Sequence, residues 1–215
     1  MSMKLFIWDF HGTLEKGTER AVHEITNRIL AERGYEERLD DRLTHELYGK
    51  KWYEYFMRLL PYESEETCIG LQEQCITFDE EHPKIIWSTV RANDHAMDVL
   101  TKIKECHDQV VISNTRHARL GEFLRATKLD TFFPQGKHFG LDSHRPEGRR
   151  MKKDVADEYV SHGEFDKVVV IGDSPQDMIP LENSVKYLYA HPEKAFRECD
   201  ADYRIHDLRE VLREI

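Results

Sequence analysis

Leu5-Phe6-Ile7-Trp8-Asp9-Phe10-His11-Gly12-Thr13-Leu14 is the stretch whose reading decides the fold. Its first four residues are continuously apolar rather than alternating, which is the pattern of a strand covered on both faces in a parallel sheet. The run stops on a carboxylate, Asp9. The same grammar recurs twice. Val110-Val111-Ile112 stops on Ser113-Asn114, and Val168-Val169-Val170-Ile171 stops on Gly172-Asp173-Ser174-Pro175-Gln176-Asp177. Weaker strands are predicted at residues 186–190 and 201–205. Helical spacing fills the intervals: 94–105 (Met97, Leu100, Ile103), 120–127, 154–161 and a last helix over 207–214. Pro175 suits the first turn of one more helix carrying Met178, Ile179 and Leu181. Strands alternating with helices imply an open α/β sheet.

Between Lys16 and Glu81 the character changes, because no strand-like run occurs there. Residues 21–33 are amphipathic and end at Gly34, and helical patterns follow at 41–48, 51–60 and 64–78. Pro61 and Pro83 punctuate them. The predicted architecture is therefore α/β: a Rossmann-like parallel sheet core from residues 1–15 and 82–215. A small all-helical domain, 16–81, is inserted after the first strand and is too small to be fully independent.

The 215 residues carry 31 Lys and Arg against 41 Asp and Glu, a net charge of −10. That balance speaks against general binding to nucleic acid or anionic membranes, which takes a basic surface. No stretch approaches the ~18 apolar residues of a spanning helix, and residues 1–8 do not read as a signal peptide. A soluble, cytoplasmic protein is expected. Cys68, Cys75, Cys106 and Cys199 form no C-x-x-C pair, so reduced thiols are expected rather than a zinc site or a disulfide framework. The 12 histidines form no H-E-x-x-H spacing.

In open α/β sheets, ligands bind outside the carboxyl ends of the strands. Right-handed crossovers bring the three strand ends to one rim, so Asp9, Ser113, Asp173 and Asp177 are expected to converge there. Acidic oxygens in such a group suit Mg²⁺, a hard cation that keeps waters and pairs with phosphate. Without a cation the carboxylates would repel and at least one pKa would rise. Asp is also a common turn and cap residue, so no single position is diagnostic. The combination is.

These residues resemble the haloacid dehalogenase-like hydrolase superfamily. Asp9-Phe10-His11-Gly12-Thr13-Leu14 matches its D-x-D-G-T-L motif except at one position, and Ser113 matches the Ser or Thr ending a second strand. Gly172-Asp173-Ser174-Pro175-Gln176-Asp177 matches G-D-x-x-x-D, and the helical insert looks like that family's cap. The family's motif lysine is sought among Arg145, Arg149, Arg150, Lys152 and Lys153; Lys152 is chosen, with Lys153 the alternative. The resemblance implies Asp9 as nucleophile forming an aspartyl-phosphate, with Ser113 and Lys152 on the transferring phosphoryl group. It also implies Thr13 and Asn114 as substrate contacts. Mg²⁺ is implied at Asp9, the main-chain carbonyl of His11, Asp173 and Asp177. A small phosphorylated metabolite is the implied substrate.

His11 stands where family phosphatases have the Asp that serves as acid and base. An imidazole, with an ordinary pKa near 6.5, can do both. Three readings stay open here: hydrolysis using His11, a phosphonate cleavage that needs no acid there, and a phosphate-ligand-binding protein without catalysis. Halide displacement is disfavoured, because relatives doing it need no metal and lack the acidic last motif. In the insert, Tyr48-Gly49-Lys50-Lys51-Trp52 is the candidate specificity segment, with Lys50 or Lys51 meeting an anionic group or forming a Schiff base with a phosphonate. Trp52 could equally belong to the insert's own core. His117, His138 and His144 are read as surface residues. Oligomeric state is not legible.

Overall fold

The computed structural model describes residues 2–141 and 150–215; Arg145, Arg149 and His144 lie outside them. The first run forms β1 (Lys4–Trp8), and a short strand β2 (Glu15–Lys16) follows. Five helices come next: α1 (Thr18–Glu32), α2 (Asp41–Leu47), α3 (Trp52–Leu59), α4 (Glu65–Glu81) and α5 (Lys84–Thr89). The chain then runs through β3 (Arg91–Ala92), α6 (Ala96–Lys104), β4 (Asp108–Ser113), α7 (His117–Ala126), β5 (His138–Gly140), α8 (Lys152–Ser161) and β6 (Lys167–Gly172). Strands β7 (Ser184–Tyr189) and β8 (Tyr203–Ile205) finish the sheet.

Six strands pair in the order β5-β4-β1-β6-β7-β8, every pair parallel. This is the doubly wound arrangement, and the strand order reverses beside β1, the point at which such sheets bind ligands. Successive residues of β1 point to opposite faces, yet Leu5, Phe6, Ile7 and Trp8 are all buried, so both faces are covered. Leu5 and Ile7 pack with Val110, Ile112, Val168 and Val170 against Val155 and Ala156 of α8. Each fully buried side chain of this size contributes roughly 1.5–3 kcal/mol relative to exposure. A separate two-stranded antiparallel pair joins β2 to β3, Glu15 opposite Ala92.

The chain divides into two compact units, one of residues Met1–Lys16 and Arg91–Ile215, the other of Gly17–Val90. The second has its own core, in which Ile25, Leu30, Tyr55, Phe56, Cys68 and Cys75 meet. It runs past Glu81 to include α5. All four cysteines are free. No helix among the described residues is long and apolar enough to cross a membrane.

Two expected helices differ. After β6 only a single 3₁₀ turn forms, Pro175–Asp177. Pro180 explains this: it cannot donate to a helix, and it turns the preceding Ile179 away from helical geometry. The C-terminal segment is a 3₁₀ helix, Leu208–Glu214. Its buried residues Leu208, Val211 and Glu214 recur every third position, the spacing that a 3₁₀ helix aligns on one ridge.

Candidate active site

Asp9 extends the sheet, its N–H donating to Ile171 O at 2.8 Å. The chain then folds back tightly, the N–H groups of Thr13, Leu14 and Glu15 all pointing to Phe10 O at 3.3, 3.0 and 3.1 Å. Gly12 takes φ +82°, a conformation that L side chains avoid. Buried Asn93 ties this loop from the far side, donating its side chain to Thr13 O at 2.7 Å and its N–H to Leu14 O at 2.8 Å. Ser113 and Gly172 end the strands on either side of β1, so the three predicted positions stand side by side. Asn114 Nδ2 donates to Gln176 Oε1 at 3.0 Å, linking the loops after β4 and β6. Gly172 is dictated by packing: a Cβ there would lie 2.1 Å from the Cβ of Asp177.

Three carboxylates meet at this rim. Asp9, Asp173 and Asp177 each offer an oxygen, all within 4.8 Å of one another. Lys152, at the first turn of α8 and buried, donates to Asp9 Oδ1 at 2.5 Å and to Asp177 Oδ1 at 2.6 Å. Lys153 instead pairs with Asp157 in solvent, so Lys152 is the lysine that reaches the carboxylates. The other oxygen of Asp177 accepts from Ser174 N and Oγ at 2.9 and 2.6 Å, and Thr13 Oγ1 donates to Asp9 Oδ2 at 3.3 Å. Asp173 faces Arg197 at 3.6 Å.

Among the described residues, Lys152 and Arg197 are the cations set against this charge. Burial, reinforced by Asp177, pushes the Asp9 carboxyl up to about 6, against the pull of Lys152. Asp173 is raised well above the carboxylate range, again by burial first, with Arg197 opposing and Asp177 and Asp9 adding repulsion. Burial depresses Lys152, but Asp177 and Asp9 more than restore it, so its ammonium is held firmly charged. Clustered, largely buried carboxylates that outnumber their cations among the described residues are the donor set a hard dication takes. Three carboxylate oxygens all within 4.8 Å of one another are hard oxygen donors of the kind Mg²⁺ takes. The residues fit Mg²⁺.

His11 sits at the same rim, close enough for its charge to act on the Asp9 carboxyl. Its Nδ1 lies 2.9 Å from Glu15 Oε1. Lys50, Lys51 and Trp52 belong to the helical unit, at the entry to α3. Lys50 is exposed and Lys51 buried, while Trp52 packs against that unit's core and donates Nε1 to Thr26 Oγ1 at 3.0 Å. His117 and His138 stack on each other, ring centres 4.9 Å apart. Sequence reasoning did not find Arg197, Ser174 or Glu15. Ser174 had a local signal, a Ser-x-x-Asp spacing of the capping-box kind. Arg197 and Glu15 had none.

The model of the haloacid dehalogenase-like hydrolases matches residues 3–184. No curated protein matches the sequence. Among solved structures, a predicted phosphatase from Clostridium acetobutylicum superposes with TM-score 0.77 at 17% identity, covering 100% of this chain and 98% of that one. A haloacid dehalogenase-like family hydrolase from Streptococcus pneumoniae gives 0.75 at 16%, covering 99% and 98%. A predicted phosphoglycolate phosphatase from Haemophilus somnus gives 0.75 at 15%, covering 100% and 97%. At such identities the superpositions speak for the fold, and the family match speaks for descent. With residues 3–184 matched and the three strand ends in place, the chain belongs to the haloacid dehalogenase-like hydrolases.

Proposed function

We propose that this chain is a Mg²⁺-dependent phosphatase that acts on a small phosphorylated metabolite through an aspartyl-phosphate on Asp9. One observation carries the reading. The Asp9 carboxylate, at the end of a central strand, is gripped by a buried lysine shared with Asp177, beside a third, partly buried carboxylate on Asp173. Predicted phosphatases among the fold relatives support the same class.

Asp9 attacks phosphorus while Lys152 and Thr13 restrain its two oxygens. Ser113 and Asn114 donate to phosphoryl oxygens, and Lys152 offsets their charge. Asp9, the His11 main-chain carbonyl, Asp173 and Asp177 would hold the Mg²⁺, which would offset the repulsion between nucleophile and phosphoryl group. His11 gives a proton to the leaving oxygen, then takes one from the water that cleaves the acyl phosphate and frees Asp9. Little else is required, since phosphoryl transfer is mainly positioning and electrostatics. The helical unit serves as a cap that closes on substrate and excludes water, with Lys50, Lys51 and Trp52 setting specificity.

Burial of Lys51, beside an exposed Lys50, favours one second reading: carbon–phosphorus cleavage through a lysine Schiff base. Phosphate release from an aryl phosphate and a panel of small phosphate esters tests the choice. The expected result is turnover that EDTA abolishes and Asp9→Asn lowers by about 10³-fold or more. Turnover confined to phosphonates and lost in Lys51→Ala would move the assignment to the second reading. Turnover of neither class would leave a binding protein.

A further inference from the structure

His11 departs from the family pattern, and its surroundings are built for an imidazole. An Asp at this position has two equivalent oxygens. A His has two different nitrogens, and it transfers protons in the right place only if one of them is assigned elsewhere. Glu15 makes that assignment. Its side chain is fully buried, an expensive place for a carboxylate unless a partner answers it. Its Oε1 lies 2.9 Å from His11 Nδ1. An ionised carboxylate only accepts, and a ring set against one carries its proton on Nδ1 and presents Nε2 as the exchanging atom.

The fold holds both ends of this pair. The turn around Phe10 O brings residues 11 and 15 into bridge contact, and pairing of Glu15 with Ala92 anchors the carboxylate's backbone. The imidazole stands edge-to-face with Phe10, centres 5.1 Å apart, and with buried Phe123 of α7 at 5.0 Å. A ring pinned on these sides has little freedom to flip.

We propose that Glu15 is the positioning residue of His11, fixing its tautomer and orientation so that protons move through Nε2. The proposal rests on the phosphatase reading. The cycle starts from the ring protonated on both nitrogens: its Nε2 proton passes to the ester oxygen as the P–O bond to the leaving group breaks, which leaves the neutral Nδ1–H ring. The next proton arrives from water as its oxygen bonds to phosphorus and the bond from phosphorus to Asp9 breaks. Each turnover therefore returns the ring and Asp9 to their starting states.

The test joins a spectroscopic signature to a kinetic split. In the full-length protein, ¹⁵N shifts of the neutral His11 ring, assigned by their loss in His11→Gln, should show a protonated Nδ1 and a bare Nε2. Glu15→Gln should lower kcat about 10–100-fold, the usual cost of losing such an outer partner, with KM within about twofold. Glu15→Asp should recover part of the loss. A wild-type ring protonated on Nε2, or folded Glu15→Gln with unchanged kcat, would overturn the proposal. Should Glu15→Gln fail to fold, the wild-type ring spectrum decides alone. Absence of any phosphate release from wild type, with the Nδ1–H tautomer present, would overturn the phosphatase reading and leave the positioning intact.

Discussion

At the amino ends of β1 and β6, Lys4 and Lys167 stand in register and close on a single carboxylate, Glu214. Just past the carboxyl ends of the same strands, Asp9 and Asp173 stand with Asp177 around a single lysine. The materials are alike and the arithmetic is reversed. Glu214 accepts from Lys167 at 2.8 Å and from Tyr187 at 2.7 Å. Burial pushes it up, but those hydrogen bonds and both lysines outweigh burial and hold it below the usual range. At the other end burial wins, and Asp9 and Asp173 rise. A buried charge with its partners supplied from the chain is architecture. One left short among the described residues leaves room for a partner from outside the chain, which under the proposed function is a cation and an anionic substrate.

The contrast breaks most sharply at Lys152. Lys152→Met removes the cation that two buried carboxylates share, and breaking a buried pair this way costs about 3–5 kcal/mol. Activity should fall by about 10³-fold with it, the upper range for loss of one charge-stabilising donor. The stability loss should be larger at pH 7.5 than at pH 5, because Asp9 protonates at the lower pH and no longer needs the ammonium. Urea unfolding at the two pH values checks this. An equal loss at both would mean that the site is not short of positive charge.

The sheet was legible because continuous apolar runs demand burial on both faces, and parallel strands must gather their carboxyl ends at one rim. Asp9, Ser113, Asp173 and Asp177 needed no more than that. Lys152 and Lys153 are adjacent at a helix start, so spacing alone cannot separate them; the way α8 leans on β4 and β6 decides. β5 was illegible for a different reason. His138-Phe139-Gly140 has one large apolar residue, and Gly140 is needed because a Cβ there would lie 2.4 Å from the backbone of His117. That is a tertiary constraint with no local trace. Glu15 and Arg197 are similar, since a charged residue in a loop looks solvated until its partner is placed.

Asp173→Asn sharpens the comparison at smaller scale. Neutralising a carboxylate whose charge burial disfavours should raise Tm by about 2–6 °C in EDTA, at 2–4 °C per kcal/mol for a chain of this size. The rise in Tm that Mg²⁺ gives to wild type should vanish in the same variant. Thermal unfolding with and without Mg²⁺ reads both. A lowered Tm in EDTA would place Asp173 with Glu214, as a structural charge.

The effect confined to stability belongs to the amino end. Glu214→Gln keeps the shape of the side chain but loses its charge-assisted bonds, worth about 1–2 kcal/mol with Lys167 partly in solvent. kcat should not change, because nothing at this end touches the rim. The pH dependence gives the sharper reading. Glu214 has its folded pKa depressed, so its contribution is present above its unfolded value of about 4.5 and fades as pH falls through the folded value. Asp9 has its folded pKa raised, so its part of the stability falls as pH rises between about 4 and 6. Stability curves over pH 3–7 for Glu214→Gln and Asp9→Asn, each subtracted from wild type, should therefore slope in opposite directions. Parallel slopes would mean that the two ends of the sheet are charged by the same rule, and the rim would lose its claim to be anything but structure.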